Sequence, residues 1–425
     1  MIGGQKMITG ILIGAGQRGM QVYAAYALKF PQDFKIVAVA EPNPERRGRM
    51  QKLHNIPDDM AFQSWEELLK REKLADCALI CTMDQDHTEP VKAALQKGYH
   101  VMCEKPMSPD AGECVEMGRY AQEYGKTLTI CHVLRYSPFF SKLKELLDSG
   151  VIGSVVNIQH TECVGYWHQA HSFTRGNWRN SQLSSPMILQ KSCHDMDILS
   201  WLIGKKCIKV SSFGSLMHFR PENAPEGSTL RCMDGCKVQQ ECPYDCRKIY
   251  LEDNERHTPV IRKVVALEGT DEAVEQALRT GPYGRCVYHC DNDAVDHQVV
   301  NLEYENGVTA SFTMCGFTYE ESRIINVMGT KGQILGNVLH NTIEVLNFRT
   351  GNRDLITIKV GNSGHSGSDD AFMRGFLKTV ATNGAFSLSS AEQSVESHLV
   401  ALAAEESRRT GKTILLSDYR SGLES

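Results

Sequence analysis

Apolar and polar residues alternate in blocks along the first third of the chain. Five short runs rich in apolar and β-branched residues have the composition of strands buried on both faces: 8–13, 34–40, 75–81, 99–103 and 127–131. Amphipathic stretches of helical length lie between them, at 44–53, 89–97 and 110–124. Strands separated by helices in this way predict an α/β domain with a doubly wound parallel sheet.

The pattern changes after about residue 135. Residues 141–147 predict one more helix, which ends at Ser149-Gly150. Longer strand-like runs follow, at 154–161, 208–216, 299–304, 308–317, 324–328 and 342–346. Asn306-Gly307 lies between two of them and is a hairpin signal. We therefore predict two domains, residues 1–134 and 135–425, the second built on a mostly antiparallel sheet.

A polar stretch rich in turn-forming residues, about 221–290, interrupts the second domain and predicts an insertion with little apolar material for a core of its own. It contains six of the 15 cysteines of the chain. In a reducing compartment these would be thiols or metal ligands rather than disulfides. The spacing of Cys232, Cys236, Cys242 and Cys246 favours a structural zinc site, with Cys286 or Cys290 as a substitute ligand. Free structural thiols and an iron–sulfur cluster are the alternatives.

Composition limits the classes of partner. A chain of 425 residues exceeds the usual size of one core, which agrees with two domains. Its 41% hydrophobic and 23% charged residues are ordinary for a globular protein, and its net charge of -5 favours neither nucleic acid nor an anionic membrane. No segment approaches the ~20 apolar residues that span a bilayer. Without a secretory signal pattern at the start of the chain, we expect a cytoplasmic protein.

The first predicted strand runs directly into Gly14-Ala15-Gly16-Gln17-Arg18-Gly19, and a helical stretch follows. Glycines at this spacing permit a tight turn, close approach of the backbone to a pyrophosphate, and close packing of helix on strand. The helix N-terminus adds free N–H groups for the phosphates. The sequence predicts a dinucleotide site at this turn, with contacts from Gly14, Gly16, Gln17, Arg18 and Gly19.

Glu41 follows the second predicted strand, where a carboxylate binds the ribose hydroxyls of NAD. An acid at this position repels the 2′-phosphate of NADP. Arg46 and Arg47 are close enough in the sequence to weaken that preference. NAD is therefore the expected cofactor, with NADP as the alternative.

A third signal is Glu104-Lys105-Pro106, which ends the apolar run 99–103. A strand that breaks at proline leaves Lys105 at the edge of the sheet, where catalytic groups commonly lie.

Taken in order with His87, these motifs resemble those of the Gfo/Idh/MocA oxidoreductases. The resemblance continues through 134–138, 149–153 and 329–332 and covers most of the chain outside the insertion. It implies a Rossmann domain followed by an α/β domain with a large open sheet, through which members commonly form homo-oligomers. It also implies hydride transfer between a secondary alcohol of a sugar, cyclitol or glycoside and a nicotinamide. His87, Glu104 and Lys105 would contact the cofactor, with Lys105 between cofactor and substrate.

The family's catalytic histidine corresponds to His194, but the aspartate expected four residues earlier is replaced by Gln190. We assign His194 as general base and Lys105 as the group that polarises the oxygen. Lys191 or Asp195 would take over part of the role of the missing acid. Burial or a nearby cation would lower the pKa of Lys105 or Lys191. The alternative for His194 is a buried, hydrogen-bonded histidine at a helix start.

Residues 168–179 combine histidines, arginines and a tryptophan, which suits sugar recognition through hydroxyl donors and an apolar ring face. The alternative is an ordinary polar loop. Within this loop no acid or cysteine completes a metal site with the histidines. The candidate substrate ligands are Tyr136, His168, Arg175, Trp178, Lys191, Asp197 and His365. His365 belongs to a glycine-rich turn whose alternative role is a helix N-cap through Ser368 or Asp369.

Three functions fit these residues. The first is an NAD-dependent dehydrogenase for a sugar or glycoside hydroxyl, for example at C3 of a pyranose. The second is a redox-neutral glycosidase that oxidises a ring hydroxyl transiently and eliminates the aglycone. The third, a regulator that binds NAD without catalysis, fits less well because both Lys105 and His194 are present.

Overall fold

A computed structural model of the protein describes residues 7–252, 258–360 and 367–424. Its first sheet has six parallel strands in the order β3-β2-β1-β4-β5-β6. The strands are β1 (Ile8–Ile13), β2 (Phe34–Ala40), β3 (Ala61–Phe62), β4 (Cys77–Ile80), β5 (His100–Cys103) and β6 (Leu128–Ile130). Strand order reverses between β1 and β4, which opens a crevice beyond their carboxyl ends. The predicted doubly wound domain is confirmed.

Helices cover both faces of this sheet. They span Gln17–Ala24 with π-type hydrogen bonding, Ala25–Lys29, Pro44–His54, Trp65–Lys70, Thr88–Gln96 and Ala111–Glu123. Three of them match the predicted helices to within one or two residues. The short strand β3 and the helix Trp65–Lys70 have too few periodic apolar residues to be recognised from the pattern.

The second sheet has nine strands in the order β14-β13-β12-β11-β7-β10-β9-β8-β15. They are β7 (Val155–Cys163), β8 (Cys207–Ser215), β9 (His297–Tyr304), β10 (Thr309–Cys315), β11 (Ser322–Gly329), β12 (Gly332–Asn337), β13 (Thr342–Asn347), β14 (Arg353–Thr357) and β15 (Ile414–Leu415). Only β7 and β10 pair in parallel, so the predicted mostly antiparallel sheet is confirmed. Alternation sets its faces: Ile325 and Val327 are buried, whereas Ile324 is half exposed.

Ten α-helices accompany the second sheet within the described residues, together with a π-type helix at Gln169–Arg175: Pro138–Asp148, Tyr166–His168, Met187–Gln190, Cys193–Ile203, Cys246–Tyr250, Thr258–Val265, Asp271–Thr280, Ser368–Ala381, Ala391–Thr410 and Leu416–Glu424. The long helix Ala391–Thr410 packs on β8 and on Ala111–Glu123 of the first domain. Its contact is close, since a Cβ added to Gly118 would lie 3.1 Å from Cγ2 of Val395. This helix therefore ties the two domains together. No described helix is both long and apolar enough to cross a membrane.

The insertion contradicts one expectation, because it has a hydrophobic core of its own. Its buried members include Phe219, Cys232, Tyr244, Cys246, Ile249, Tyr250, Val274, Leu278, Cys286, Val287 and Tyr288. These apolar residues are spread over about 70 positions, so no short window looked apolar. Cysteine is a small hydrophobe, and here it contributes to the packing.

Candidate functional site

The glycine-rich turn has three different local environments. Gly14 has φ +88, and a Cβ there would lie 2.5 Å from the carbonyl oxygen of Cys81. A Cβ at Gly19 would lie 2.2 Å from the carbonyl oxygen of Gly14, whereas one at Gly16 would meet nothing within 4 Å. The first and third glycines are thus required by the protein itself. Gly16 faces the open space into which a pyrophosphate fits, at the start of the helix Gln17–Ala24, and Gln17 is exposed there.

Glu41 lies beside this turn, directly after β2. Its carboxylate accepts hydrogen bonds from the backbone N–H of Ala15 at 2.7 Å and of Asn43 at 2.9 Å. Arg47 is turned to the backbone instead and donates to the carbonyl of Glu41 at 2.6 Å. The carboxylate is therefore held next to the glycine turn, where it fits the ribose of NAD.

Arg18 connects the glycine turn to both domains. Its guanidinium donates to Glu104 at 2.7 Å and to Asp369 at 2.9 Å, at the start of the helix Ser368–Ala381. Tyr23 also donates to Glu104 at 2.7 Å. Burial raises the pKa of Glu104, but the charges of Arg18 and Lys105 and the hydrogen bonds from Arg18 and Tyr23 together outweigh it and lower the pKa below its usual value. The acid before Lys105 is therefore a carboxylate that holds the turn in place. The helix itself begins after Gly367 with no side-chain cap, so neither residue proposed as its N-cap has that role.

His87 lies in the crevice beyond β4. Its Nδ1 is 2.8 Å from the carbonyl oxygen of Pro106, which can only accept, so Nδ1 carries the proton. Nε2 is a buried acceptor with no partner among the described residues. The contact of Nδ1 joins His87 to the Lys105-Pro106 turn.

Lys105 follows β5 and reaches across to the second domain. Its ammonium donates to the backbone carbonyl of Gln190 at 2.5 Å, and its backbone N–H donates to Glu104 at 2.6 Å. The glutamine side chain turns away and donates to the carbonyl of Ser185. A backbone carbonyl thus holds the lysine where the family pattern expected a carboxylate.

His194 lies in the first turn of the helix Cys193–Ile203 and is 7% exposed. Its ring meets that of His132 edge to face, with centroids 6.2 Å apart. Burial lowers the pKa of His132 to about 3, and Lys105 adds to the lowering. His132 is therefore neutral and lies near the lysine.

Two candidate substrate ligands are buried as supports. Asp197 is 1% exposed and forms a bidentate pair with Arg135 at 2.7 and 2.6 Å. The Tyr136 ring packs edge to face on Phe372, with centroids 5.2 Å apart. Both side chains are buried among protein atoms, which favours a positioning role over direct contact with a substrate.

Lys191 and His168 do come together, around Glu321. The Glu321 carboxylate lies 2.7 Å from Nζ of Lys191 and 3.1 Å from Nδ1 of His168. Lys191 also lies 3.2 Å from Glu162. Burial lowers the pKa of Lys191, but Glu321 and Glu162 outweigh it and raise the pKa above its usual value. The expected lowering is therefore wrong for this lysine.

Glu162 and Asp195 share Arg323. Its guanidinium lies 2.7 Å from each carboxylate, and His160 contacts Asp195 at 2.7 Å. Burial raises the pKa of Glu162 to about 7. The Asp195 carboxylate is therefore paired with Arg323 and His160, which argues against the role of proton relay considered for it.

The remaining candidates lie elsewhere. Trp178 is half buried, and its indole N–H points to Asp84 at 3.4 Å. Arg175 is fully buried against the insertion and donates to the carbonyls of Arg285 at 2.7 Å and Tyr244 at 2.6 Å. It does not reach the cleft, which corrects its assignment as a substrate ligand. His365 lies outside the described residues.

The structure does not support the predicted zinc site. In the described ranges no three His, Cys, Asp or Glu side chains converge closely enough to bind a metal ion. Cys246 donates a hydrogen bond to Cys232, and this bond, with the charge of Arg175, outweighs burial and lowers the pKa of Cys232 to about 6. Cys236 and Cys242 line a small cavity with Cys232 and Cys286. None of the 15 cysteines forms a disulfide bond in the structure.

Sequence reasoning missed several site residues. They are Asp84, His132, Glu162, Glu321 and Arg323. Asp84 accepts from the hydroxyls of Ser184 and Ser185 at 2.8 and 2.6 Å and so docks the second domain on the first. His132 carried a usable signal, since it follows β6 at the edge where Lys105 follows β5. The others lie in strands or turns with no motif around them.

Comparisons with known proteins agree with this geometry. A family described as "Oxidoreductase family, NAD-binding Rossmann fold" matches residues 8–132, and its "C-terminal alpha/beta domain" matches residues 144–416. The chain is 26% identical to the oxidoreductase YteT of Bacillus subtilis over 365 residues, 80% of this chain and 81% of that protein. It is 28% identical to the 2,7-anhydro-N-acetylneuraminate hydratase of Escherichia coli over 226 residues, 53% of this chain and 57% of that protein. Levoglucosan dehydrogenase in complex with NADH and levoglucosan has the same fold, with a TM-score of 0.70, 17% identity, and coverage of 97% of this chain and 100% of that chain. The chain belongs to the Gfo/Idh/MocA family of NAD-binding oxidoreductases.

Proposed function

We propose that the protein transfers a hydride between a secondary hydroxyl of a sugar, cyclitol or glycoside and NAD, for example at C3 of a pyranose. The observation that carries the proposal is Lys105, held 2.5 Å from the Gln190 carbonyl at the junction of the dinucleotide turn and the second domain. NAD, held at the glycine turn, would supply the hydride acceptor. The residues of the chain bind both partners and remove the hydroxyl proton.

The proposed roles follow from the contacts. Gly14, Gly16 and Gly19 shape the pyrophosphate site, with Gln17 and Arg18 at the start of the helix. Lys105 polarises the substrate oxygen, and His194 receives its proton. The backbone carbonyl of Gln190 orients the lysine in place of an acid. His87 and Glu104 complete the cofactor side, the latter by holding Arg18.

We further propose NAD rather than NADP. The Glu41 carboxylate lies beside the turn, and Arg47 is engaged by backbone carbonyls instead of facing a 2′-phosphate. Calorimetric titration with both cofactors tests this preference. We expect NAD to bind at least ~10-fold more tightly, and Glu41→Gln to reduce the ratio.

The activity test uses purified protein, NAD and a panel of sugars, cyclitols and glycosides, with nicotinamide absorbance as readout. Lys105→Ala should abolish turnover while NAD affinity stays largely intact, because its ammonium acts on the substrate oxygen. Lys35→Ala, an exposed lysine on β2, is the matched control. Wild-type turnover in Lys105→Ala would contradict the assignment.

The second candidate, a redox-neutral glycosidase, is favoured by a specific observation. The group of His168, Glu321 and Lys191 provides acid–base chemistry beyond what hydride transfer needs. Release of an aglycone without net NADH would support it. A regulator without catalysis predicts neither signal and is the less favoured candidate.

We also propose a homo-oligomer formed through the open face of the nine-stranded sheet. Phe213, Val299 and Ile324 lie in one row across this face and are 64%, 37% and 48% exposed. Light scattering should give a mass above 47.5 kDa, and Ile324→Lys should lower it. The cytoplasmic location stays a prediction.

A further inference from the structure

Aromatic side chains from two loops lie beside His168. The rings of Tyr166 and Tyr319 stack with centroids 6.4 Å apart, and Trp167 stacks on His168 at 5.2 Å. The backbone N–H of Tyr166 donates to the carbonyl of Thr318 at 2.9 Å, which joins the two loops. Tyr319 is 77% exposed. An exposed aromatic face next to charged groups is the kind of surface on which a sugar or aryl ring stacks.

The tautomer of His168 follows from its partner. Nδ1 lies 3.1 Å from the Glu321 carboxylate, which can only accept, so Nδ1 carries the proton. The approach of Lys191 at 3.5 Å is then a contact without a hydrogen bond. Both polar contacts that the ring makes with the described residues use Nδ1, which leaves the Nε2 lone pair available among them on a side chain that is 20% exposed.

The charges around this ring suit a base near neutral pH. Partial burial lowers the pKa of His168, and Lys191 and Lys105 add to the lowering. Burial raises the pKa of Glu321, but Lys191 and His168 outweigh it and lower the pKa well below its usual value. The pair is thus a neutral imidazole on an ionised carboxylate, the arrangement that stabilises an imidazolium once a proton is taken.

A chain of contacts joins this group to the hydride-transfer site, since Glu321 contacts both Lys191 and His168. Lys191 directly follows Gln190, whose carbonyl holds the Lys105 ammonium. The charge of Lys105 also acts on His168. One substrate can therefore meet Lys105 at one end and His168 at the other.

We propose that Tyr319 and Tyr166 form a second subsite for the aglycone or second sugar of a glycoside, and that His168 is the base that drives its expulsion. The inference rests on the proposed oxidoreductase function, because oxidation of a ring hydroxyl acidifies the neighbouring C–H. A dehydrogenase for free sugars needs neither the exposed tyrosine nor the second base.

The step balances as follows. Nε2 of His168 takes the proton from the carbon next to the ketone, and the C–H electron pair becomes the C=C bond. The bond from the anomeric carbon to the aglycone oxygen breaks with its electrons on oxygen, which receives the proton from the imidazolium. Water then adds across the double bond in the reverse sense. The hydride removed at the start returns to the ketone carbon, so hydrolysis occurs with no net NADH.

The experiment uses the full chain with NAD and p-nitrophenyl α- and β-glycosides of glucose, galactose and N-acetylglucosamine, alongside the free sugars. Phenolate release and nicotinamide absorbance are read together, and turnover in D2O reports exchange of the proton next to the ketone. We expect His168→Gln to lose at least ~100-fold in phenolate release and to lose exchange, a much larger loss than any it causes in the oxidation of free sugars. Glu321→Gln, which keeps the shape of the side chain, should weaken release in the same direction.

Tyr319→Ala should raise KM for the aryl glycosides at least ~10-fold and leave the free sugars unchanged, and Tyr319→Phe should restore it. Tyr124→Ala, a tyrosine on the first domain, is the control. Deuterium exchange that persists in His168→Gln, or no phenolate release from any glycoside while free sugars are oxidised, overturns the inference alone. Full turnover in Lys105→Ala would instead overturn the proposed function.

Discussion

The glycine turn at residues 14–19 and the cysteine-rich insertion are each marked in the sequence by a few residues at regular spacing. The spacing predicts the local structure of the turn better than that of the insertion. The turn has the geometry that its glycines predict, including the open space at Gly16. The insertion lacks the metal site that its cysteines predict, within the part of the chain that the structure describes. Glycines act on the backbone at their own positions, whereas cysteines bind a metal only if distant side chains converge.

The two regions also differ in what holds them. The turn depends on backbone atoms within or next to it, such as the carbonyl of Gly14 against Gly19. The insertion depends on contacts across long separations, such as Arg175 with Tyr244 and Arg285. Changes in the turn should therefore act on cofactor binding, and changes in the insertion on folding.

The largest expected effect is at Gly19. A Cβ there would collide with the backbone oxygen of Gly14, so Gly19→Ala should lower NAD affinity at least ~100-fold and also destabilise the fold by ~1–3 kcal/mol. Gly16→Ala is the matched control. Its Cβ meets no protein atom, so the melting temperature should hold while NAD affinity falls ~10-fold. Thermal unfolding measures the stability of each variant, and calorimetric titration measures its NAD affinity. Equal destabilisation by the two variants would contradict the different roles of the two glycines.

The next effect is at Arg175, which is buried against the insertion. Arg175→Met should lower the free energy of unfolding by ~3 kcal/mol, because buried carbonyls lose a charged donor. Arg179→Met serves as control, since its partner Asp291 is 53% exposed and the pair should contribute less than ~1 kcal/mol. Urea unfolding distinguishes the two. A similar loss in both variants would argue against the insertion core as the source of stability.

A smaller effect concerns pH and Cys232. Its folded pKa lies below the ordinary value of 9.0, so the unfolded chain binds more protons between the two values. The free energy of unfolding should therefore rise from pH 6.5 to 8.5, by up to ~1.4 kcal/mol per pH unit from this thiol, and this stability is lost as pH falls through the folded pKa. Denaturation at both pH values should show a smaller rise in Cys232→Ala. An equal rise would refute the thiolate.

The smallest expected effect is that of metal removal. Dialysis against a strong chelator should leave the melting temperature within ~1 °C, because apolar packing and Arg175 hold the insertion core. Metal analysis of the untreated protein should find well below one zinc per chain. One zinc ion per chain, together with a large fall in the melting temperature on its removal, would contradict this expectation. The cysteine spacing would then predict the insertion as well as the glycine spacing predicts the turn.

The residues proposed to bind the substrate also divide into those that local sequence predicts and those that depend on distant contacts. Lys105 was predictable, because a proline-ended strand leaves the next side chain at the sheet edge. The pairing of His168 with Glu321 was not, since 153 residues separate them and they meet only where β7 and β11 lie side by side. Arg175 and Asp197 show the opposite error, because polar residues suited to a sugar proved to be buried supports.

The sequence by itself determined the two domains, the strands of both sheets in their main parts, the glycine turn and the position of Lys105. Each of these depends on periodicity or on backbone preferences of neighbouring residues, which act locally. Only the tertiary structure decided that the insertion has its own core, that a backbone carbonyl at Gln190 holds Lys105, and that Glu321 orients His168. Those outcomes depend on which distant side chains meet, and a linear pattern of hydrophobicity does not contain that information.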